Sequence, residues 1–319
     1  MEGSGCFGIV PVSFLIKTGV RIVTIPAWPV DHMGVETMKV VSAVLPGLVL
    51  VACSGLGPVA VPPLTVTVVD VGQGTSVIVE REGRAFVSDM GPRSAKTAWR
   101  RAWRGSGRPV VGTVAISHRD EDHAGGLNAL DMQVAWEERV VLSPWECVES
   151  IRAYLPLHRN PDIREVAAGD TIYALEGVWI ECLWPPRDTT LSLPLTGVHI
   201  NRFSLCFQIR FHHTTVLLTG DIDTVAQRIM AQQYGWSLRS TFFVVPHHGS
   251  AGSVSERFWG YVAADMSVIS CGADNRYGHP SAAALDLLFT LGSSVHVTAH
   301  LGGCTGISNG EYWVWESEW

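Results

Sequence analysis

Several features that would place the chain in a familiar class are missing from its sequence. None of its seven cysteines forms a Cys-x-x-Cys pair, which argues against a zinc cluster held by thiolates. There is no internal repeat and no low-complexity tract. Acidic residues outnumber basic ones by 30 to 23, a formal net charge of −7, so no global basic field draws the protein to nucleic acid. Contact with a polyanion must therefore come from a local patch or from bound metal ions.

A hydrophobic run long enough to span a membrane comfortably as a helix is also missing. The apolar stretch Val40–Ala52 follows Met38-Lys39 and has about the length of the apolar region of a signal peptide. Pro46 inside it disfavours a continuous helix. The stretch leads into Cys53 through a segment that is similar to the lipobox of bacterial lipoproteins, in which the cysteine is lipidated. An ordinary buried amino-terminal segment is the alternative.

These features predict how the chain is divided and where the protein resides. Residues 1–37 would be a mis-assigned or disordered extension, and residues 38–53 a lipoprotein-type signal segment. Residues 54–63, rich in glycine and proline, would be a tether, and residues 64–319 the domain that carries the chemistry. We thus expect a protein of the cell envelope, anchored to the membrane outside the cytoplasm by a lipid on Cys53.

Hydrophobic periodicity in the large domain predicts alternating strands and helices. The predicted strands are 64–69, 76–80, 84–88, 110–116, 139–142, 178–183, 204–211, 214–218, 241–245, 266–270 and 295–298. The predicted helices are 94–104, 124–130, 146–154, 222–233, 254–263 and 281–291. By itself this alternation indicates an α/β fold.

The most informative stretch of the chain is the heptapeptide 117–123, Ser-His-Arg-Asp-Glu-Asp-His. It places the side chains of His118, Asp120, Asp122 and His123 within six positions. The apolar, β-branched segment before it predicts a buried strand, so the four side chains stand on a loop at its carboxyl end. Two imidazoles and two carboxylates at this spacing predict a metal site. A solvated polar turn is the weaker alternative.

The loop resembles the His-x-His-x-Asp-His motif of the metallo-β-lactamase superfamily, with Asp120 at the position of the second histidine. Five further motifs stand in the order found in the hydrolase domain of ComEC-type DNA-uptake (competence) proteins, which the chain resembles over roughly residues 65–319. They are Asp70–Gly74, Asp89–Pro92, Leu218–Asp221, Pro246–Ser250 and Tyr277–Pro280. The resemblance implies a four-layer αββα sandwich of the metallo-β-lactamase type.

The resemblance also implies a ligand set for two divalent metal ions. The implied ligands are His118, Asp120, Asp122, His123, Asp221 and His247. Asp221 would bridge the two ions. Asp89 would orient a ligand histidine, and Asp70 would fix the geometry of the turn that follows it.

The third ligand of the first ion departs from the superfamily pattern, in which a histidine usually stands there. Asn201 and Ser204 would lie near the site instead, and His199 is the alternative ligand. With Asp120 replacing an imidazole, the donor set contains three carboxylates and three histidines. Carboxylates favour Mn²⁺ and imidazoles suit Zn²⁺, so we expect either ion to bind and Mn²⁺ to support more activity. We expect no nucleotide cofactor.

Two such cations can lower the pKa of a shared water, so that a hydroxide bound to both attacks phosphorus in an in-line displacement. Asp122 and Asp221 would hold the cations around this reaction. His248 or His279 would give a proton to the leaving oxygen, since imidazole transfers protons near neutral pH.

A basic stretch between positions 93 and 108 contains six basic residues and no acid. Lys96, Arg100 and Arg104 recur on one helical face and are candidate nucleic-acid contacts. The alternative is a solvated helix whose Trp99 and Trp103 face the core, and for the two tryptophans we favour it.

The sequence as a whole predicts a metal-dependent phosphodiesterase, a nuclease that acts on DNA. One alternative is a small-molecule hydrolase on the same fold, of the lactonase, thioesterase or β-lactamase type, although those families resemble the all-histidine motif. The other is a non-catalytic DNA-binding or assembly module. The chain carries no series of long hydrophobic helices, so we do not expect it to form the channel itself.

Overall fold

The computed structural model describes residues 61–187 and 200–317, together with the backbone of β1 (Val44–Leu45) and β2 (Leu48–Val49), which pair antiparallel. The chain divides into two compact units, Met1–Val59 and Ala60–Trp319. Cys53 and His199 lie outside the described residues. Within the described ranges, no helix combines the length and the apolar character that crossing a membrane requires.

The second unit is built from strands and helices that alternate along much of the chain. Its strands are β3 (Leu64–Val68), β4 (Val77–Arg81), β5 (Arg84–Ser88), β6 (Val110–Ile116), β7 (Arg139–Leu142), β8 (Asp162–Glu165), β9 (Thr171–Ile172), β10 (Trp179–Trp184), β11 (Cys206–Phe211), β12 (Thr214–Leu218), β13 (Phe242–Val244), β14 (Met266–Ile269), β15 (Ser294–Val297), β16 (Cys304–Ser308) and β17 (Trp313–Ser317). Its α-helices are α1 (Lys96–Gly105), α2 (Glu121–Ala124), α3 (Val148–Arg152), α4 (Thr224–Tyr234), α5 (Glu256–Val262), α6 (Ala282–Thr290) and α7 (Thr298–Leu301). Short 3-10 helices cover Arg93–Ala95, Gly125–Ala129, Ile200–Phe203, Gly235–Leu238, Pro246–Gly249 and Ala251–Ser253.

These strands form two mixed sheets. In the first, the spatial order is β17-β16-β3-β4-β5-β6-β7-β8, and in the second it is β15-β14-β13-β12-β11-β10-β9. Each sheet contains a parallel block, β5 to β8 in the first and β12 to β15 in the second. The carboxyl ends of parallel strands share one edge of a sheet, which is where open α/β sheets carry their ligand-binding loops.

Alternating side chains of these strands build three apolar layers. Val216 and Leu218 of β12 point into the layer between the sheets, whereas Leu217 between them points to the outer face of the second sheet. The layer between the sheets includes Phe86 and Phe207, whose rings meet edge to face at 5.5 Å. Helix α1 covers the outer face of the first sheet, and α4, α5 and α6 cover that of the second. The predicted four-layer αββα sandwich is therefore confirmed.

Helix α1 shows how the apolar layer and the basic stretch share one element. Trp99 and Trp103 are buried, with rings stacked at 6.4 Å, and the indole N–H of Trp103 donates to the carbonyl oxygen of Pro109 at 3.0 Å. The interpretation that both tryptophans face the core is confirmed. Their burial excludes them as a stacking surface for nucleic-acid bases in this conformation.

Four strands of the second unit, β8, β9, β16 and β17, do not appear among the predicted ones. Strand β8 is mostly polar and β9 has only two residues, so neither carries a readable alternation. Strands β16 and β17 form because β16 pairs with β3, whose residues lie more than 200 positions earlier in the chain. The predicted helix 124–130 begins earlier, at Glu121, and continues as the 3-10 helix Gly125–Ala129.

The layer between the sheets is expected to supply much of the stability. Phe207 has no solvent exposure, and its replacement by alanine should lower the free energy of unfolding by about 3–5 kcal/mol, because a cavity remains next to Phe86. Urea denaturation would measure this change. Phe289→Ala is the control, because that ring is 84% exposed on α6 and should change the free energy by less than about 0.5 kcal/mol. Equal effects of the two substitutions would contradict the assignment of this layer.

Candidate metal centre

The heptapeptide forms the loop that follows β6 and the first turn of α2. Asp120 precedes α2, and its carbonyl oxygen accepts from the N–H groups of His123 and Ala124, at 3.0 and 2.9 Å. This turn folds the segment back on itself, so the rings of His118 and His123 lie 4.2 Å apart and are both fully buried. Asp120 is about half exposed and Asp122 less so.

The second sheet contributes side chains from the loops after β12 and β13. Asp221 follows β12 and is buried, while His247 and His248 follow β13. Gly220 adopts a positive φ of 51°, and a Cβ there would lie 2.8 Å from the Cβ atoms of both Ser117 and Ser204. Only glycine avoids both problems, so this residue type allows Asp221 to approach the loop of the first sheet.

Imidazole and carboxylate atoms from the two sheets meet in two overlapping groups. Three of the candidates, His118, His123 and Asp221, form one group, and His123 also forms the other with Asp122 and His248. Within each group the potential ligand atoms lie within 4.8 Å of one another. This spacing is compatible with one cation in each group.

Asp221 stands between the two groups. Its Oδ1 lies 3.2 Å from Nε2 of His123, and its Oδ2 lies 3.6 Å from Nε2 of His248. Nε2 of His248 is also 3.3 Å from Oδ2 of Asp122. One carboxylate thus offers a different oxygen to each side of the site, as a bridging ligand would.

The unpaired ligand atoms at this centre fit bound cations. Nε2 of His118, His123 and His248 and Oδ1 of Asp221 are buried and have no hydrogen-bond partner among the described residues. Each buried polar atom left unpaired costs about 1–3 kcal/mol. Cations bound in the two groups would satisfy all four atoms.

Asp89 orients the two buried histidines of the first sheet. Its Oδ2 accepts from Nδ1 of His123 at 2.8 Å and from the hydroxyl of Ser117 at 2.7 Å, and its Oδ1 accepts from the N–H of Ser117 at 2.7 Å. The hydroxyl oxygens of Ser117 and Ser204 lie 3.0 and 3.3 Å from Nδ1 of His118. Partners at Nδ1 place the proton there and leave Nε2 of each ring free to bind a metal.

His248 is oriented in the same way by the second sheet, since its Nδ1 lies 2.9 Å from the carbonyl oxygen of Ser270. Ser117 and Ser270 are not among the site residues predicted from the sequence. Ser117 stands inside the informative heptapeptide, so its position was a usable signal. Ser270 acts through its backbone carbonyl, which every residue type carries, so no sequence signal could have found it.

The structure places the two neighbouring histidines differently from the ligand set expected from sequence. His248 is 2% exposed and belongs to one of the donor groups, whereas His247 is 35% exposed and its Nε2 lies 3.7 Å from Oδ2 of Asp221, outside both groups. Both residues adopt left-handed backbone conformations, with φ of 51° and 56°. This turn directs one ring into the centre and the other to its mouth.

The other expected site residues lie around this core. Nε2 of His118 is 3.5 Å from Oδ2 of Asp120. The ring of His279 stacks on that of His248 at 6.0 Å. Asp70 is exposed, and its Oδ1 accepts from the N–H of Gly72 at 3.1 Å, inside its own turn.

Two polar residues, Ser204 and Asn201, are predicted from the sequence to lie near the third ligand position of the first ion. The hydroxyl oxygen of Ser204 accepts from the N–H of Asp221 at 3.2 Å and also lies near Nδ1 of His118. Asn201 contacts this region through its carbonyl oxygen, which accepts from the N–H of Ser204 at 3.0 Å. The hydroxyl group of Ser204 therefore contacts two potential ligands, Asp221 and His118.

The charges of the centre keep its carboxylates ionised. In the metal-free protein, burial favours the neutral form of Asp221, but the imidazoles of His123 and His248, which are positive when protonated, outweigh it and hold the pKa of Asp221 well below its usual range. Burial likewise opposes ionisation of Asp122, but the nearby imidazoles of His248 and His123 lower its pKa to about 2. Burial and the charge of His248 lower the pKa of His279 to about 4, so this ring is neutral at neutral pH.

A cleft of about 710 Å³ adjoins the centre at Asp120 and Asp122. Its lining also includes Asp274, Arg276 and Tyr277. The guanidinium of Arg276 lies over the ring of Tyr277, 5.0 Å from its centroid. The cleft is thus predominantly acidic, which suits the binding of cations.

The basic face of α1 is partly neutralised within the protein. Lys96 and Arg100 both form ion pairs with Asp131, and Nε of Arg100 also donates to the carbonyl oxygen of Ala129 at 3.4 Å. Arg104 is exposed, and no ion pair is found for it among the described residues. Of the three candidate nucleic-acid contacts, Arg104 is the one most available to a ligand.

No protein-family profile matches the chain. Among curated proteins, it is 29% identical over 231 residues to competence protein ComA of Neisseria gonorrhoeae, an alignment that covers 71% of this chain and 30% of that protein. It is 25% identical over 254 residues to recombination protein 2 of Haemophilus influenzae, with 76% and 28% coverage. It is 24% identical over 243 residues to ComE operon protein 3 of Bacillus subtilis, with 70% and 30% coverage. The chain spans less than a third of the length of these relatives.

Solved structures match the architecture at lower sequence identity. The metallo-β-lactamase fold protein YhfI of Bacillus subtilis superposes with a TM-score of 0.51 and 12% identity, covering 77% of this chain and 100% of that chain. At this identity the likeness concerns the fold alone.

The two histidines after β13 allow a direct test of the donor groups. We expect His248→Ala to weaken the binding of at least one divalent cation by about tenfold or more, because its buried Nε2 is lost from the group with Asp122. His247→Ala, the matched neighbour, should bind cations like the parent protein. Titration calorimetry with Mn²⁺ on metal-stripped full-length protein would measure both, and loss of binding in His247→Ala alone would reverse the assignment.

Proposed function

We propose that this chain is a metal-dependent phosphodiesterase that hydrolyses DNA. It has the metallo-β-lactamase fold, and it is similar in sequence to competence proteins, in agreement with its motifs. The observation that carries this proposal is the position of Asp221, whose two carboxylate oxygens face the buried, unpaired Nε2 atoms of His123 and His248, one in reach of each. A pair of adjacent cation positions is the arrangement that serves phosphoryl displacement.

We assign the ligands from these contacts. His118 and Asp120 would hold one cation and Asp122 and His248 the other, with Asp221 shared between them; His123 is within reach of both positions. His248 takes the role for which the sequence suggested His247. The cations, when bound, would lower the pKa of a shared water and neutralise charge on the phosphate oxygens.

The remaining roles belong to side chains at the mouth of the centre. His279 lies beside the rings of His247 and His248, at 5.9 and 6.0 Å, where the leaving group of a bound substrate would pass. Because its pKa is lowered to about 4, His279 would act at neutral pH as a neutral hydrogen-bond donor to the leaving oxygen. His247, half-exposed beside Asp221, would contact the substrate phosphate.

The donor set favours Mn²⁺ over Zn²⁺ as the activating metal. It combines three imidazoles, from His118, His123 and His248, with three carboxylates, and carboxylate oxygens suit the harder Mn²⁺ ion. The acidic cleft makes bound cations of either kind a requirement for substrate binding, because phosphate groups would enter it only once cations have offset its negative charge.

DNA is the substrate suggested by the relatives, of which one is named for competence and one for recombination. Exposed basic residues on and beside α1, among them Arg104, would supply additional salt-sensitive contacts to the phosphate backbone. A small-molecule hydrolase on the same fold would need no such contacts, so its activity would not depend on Arg104.

Cleavage of DNA tests the proposal directly. We expect full-length, metal-stripped protein to cleave labelled single-stranded DNA after addition of Mn²⁺, more slowly with Zn²⁺, and not at all without metal. Asp221→Ala should reduce the rate at least about a thousandfold, because it removes the shared ligand of both cation positions. Electrophoresis of the labelled strand would measure the rates.

The matched control is Asp223→Ala, two positions along, which removes the cap of α4 and the ion pair with Arg202 but no atom of the centre. It should cleave at close to the parent rate. The folded, metal-loaded parent protein could instead leave DNA intact and hydrolyse a lactone or a thioester. That result would contradict the nuclease proposal and favour the small-molecule hydrolase.

We also propose that the protein resides in the cell envelope, anchored by a lipid on Cys53. Support comes from the lipobox-like sequence and from the competence proteins among its relatives. Cys53→Ser should shift the protein from the membrane fraction to the soluble fraction, whereas Cys147→Ser, an exposed cysteine of the large unit, should not. Immunoblotting of fractionated cells would show this. Membrane association that persists in Cys53→Ser would contradict the lipid anchor.

A further inference from the structure

A carboxylate from a neighbouring loop reaches the segment that carries His118 and Asp120. Strands β6 and β7 are parallel neighbours, with Ile116 opposite Leu142, so the loops that follow them emerge side by side. Four residues after the end of β7, Oε1 of Glu146 accepts from the backbone N–H of Arg119 at 3.2 Å. Arg119 is the residue between His118 and Asp120, so this bond holds the backbone on which both of them stand.

The other oxygen of the same carboxylate has no partner. Oε2 of Glu146 is buried and accepts no hydrogen bond from the described residues. The charged groups that act most strongly on this carboxylate are His118, Arg119 and Asp120, and burial raises its pKa. An unpaired buried carboxylate oxygen is costly in a static protein, and its cost would be offset by a cation or by a group bound to one.

The loop that carries Glu146 is held in place from two directions. The ring of Trp145 stacks on that of Phe203 at 4.2 Å, and its indole N–H donates to the carbonyl oxygen of Pro186 at 3.0 Å. The N–H of Glu146 donates to the carbonyl oxygen of Ser143 at 3.0 Å. Phe203 directly precedes Ser204, which contacts His118 from the other side. Glu146 is therefore presented by a packed loop.

We propose that Glu146 is a positioning carboxylate of the cation position formed by His118 and Asp120. Its Oε1 fixes the backbone that carries both ligands, and its Oε2 contributes negative charge and a free acceptor to the same position. This inference rests on the proposed function only in requiring that the centre binds cations.

The test compares Glu146→Gln with Glu146→Ala. Glutamine keeps an oxygen that can accept from the N–H of Arg119 but removes the charge, whereas alanine removes both. We expect calorimetric titration of the metal-stripped full-length chain to show two Mn²⁺ ions in the parent. In Glu146→Gln one of them should bind about 10–100-fold more weakly, with the thermal midpoint of the metal-free protein unchanged. Glu149→Gln, an exposed carboxylate on the following helix, is the matched control and should bind like the parent.

Each outcome decides between the alternatives. If Glu146→Gln binds both ions like the parent and only Glu146→Ala is impaired, the residue is a backbone brace and the proposal is wrong. Equal weakening of both ions together with a lowered thermal midpoint in Glu146→Gln would overturn it as well. A parent protein that binds no Mn²⁺ would remove the proposed function and this inference together, whereas an unaffected Gln variant of a metal-binding parent removes the inference alone.

Discussion

The arrangement of the whole centre depends on one buried carboxylate placed between imidazoles from two sheets. Asp221 emerges from the second sheet and meets His123 of the first sheet and His248 of its own sheet. A buried charge is tolerated only where it is compensated, and here the compensation comes from rings that are themselves short of partners. The separation of the sheets must therefore be correct to within a fraction of an ångström, and the apolar layer between them sets that separation.

Several residues around the centre also have strained backbone conformations. Asp89, His247 and His248 are non-glycine residues with left-handed backbone conformations, and Gly220 has no room for a side chain. Such conformations cost on the order of 1–3 kcal/mol each and persist where the surrounding structure over-determines them. The rigid strands β5, β12 and β13, which end beside these residues, provide that surrounding structure.

The charge pattern of the surface separates cation binding from DNA binding. Carboxylates dominate the cleft that adjoins the centre, and the basic face of α1 is partly neutralised by Asp131. With a net charge of −7, the protein offers DNA no general attraction. In the proposed mechanism, attraction for phosphate would arise at the cations themselves, with exposed arginines such as Arg104 adding to it. This would make substrate binding, as well as catalysis, depend on the metal.

Much of the fold could be predicted because the central strands are regular and apolar, so their alternation and bounds are readable from β3 to β15. Short or polar edge strands such as β8 and β9 carry too little pattern, and β16 and β17 exist because a distant strand pairs with them. The candidate site could be located because its acidic and histidine residues cluster in the chain at 118–123 and recur at the ends of strands. Of its support network, the contributions of Asp89 and Ser204 could be predicted, but those of Ser270 and Glu146 could not, because Ser270 acts through a backbone carbonyl and Glu146 through a loop contact.

The amino-acid sequence by itself determined the α/β architecture, the loop that carries His118 to His123 and the residue types of the donors. Local periodicity and spacing depend only on neighbours along the chain, so they can be read there. Only the tertiary structure decided that His248 rather than His247 enters the donor groups and that Glu146 reaches Arg119. Adjacent residues differ in direction through backbone torsion angles, and contacts between loops depend on which strands are neighbours in the sheet. Neither the torsion angles nor the identity of the neighbouring strands can be read from the local sequence pattern.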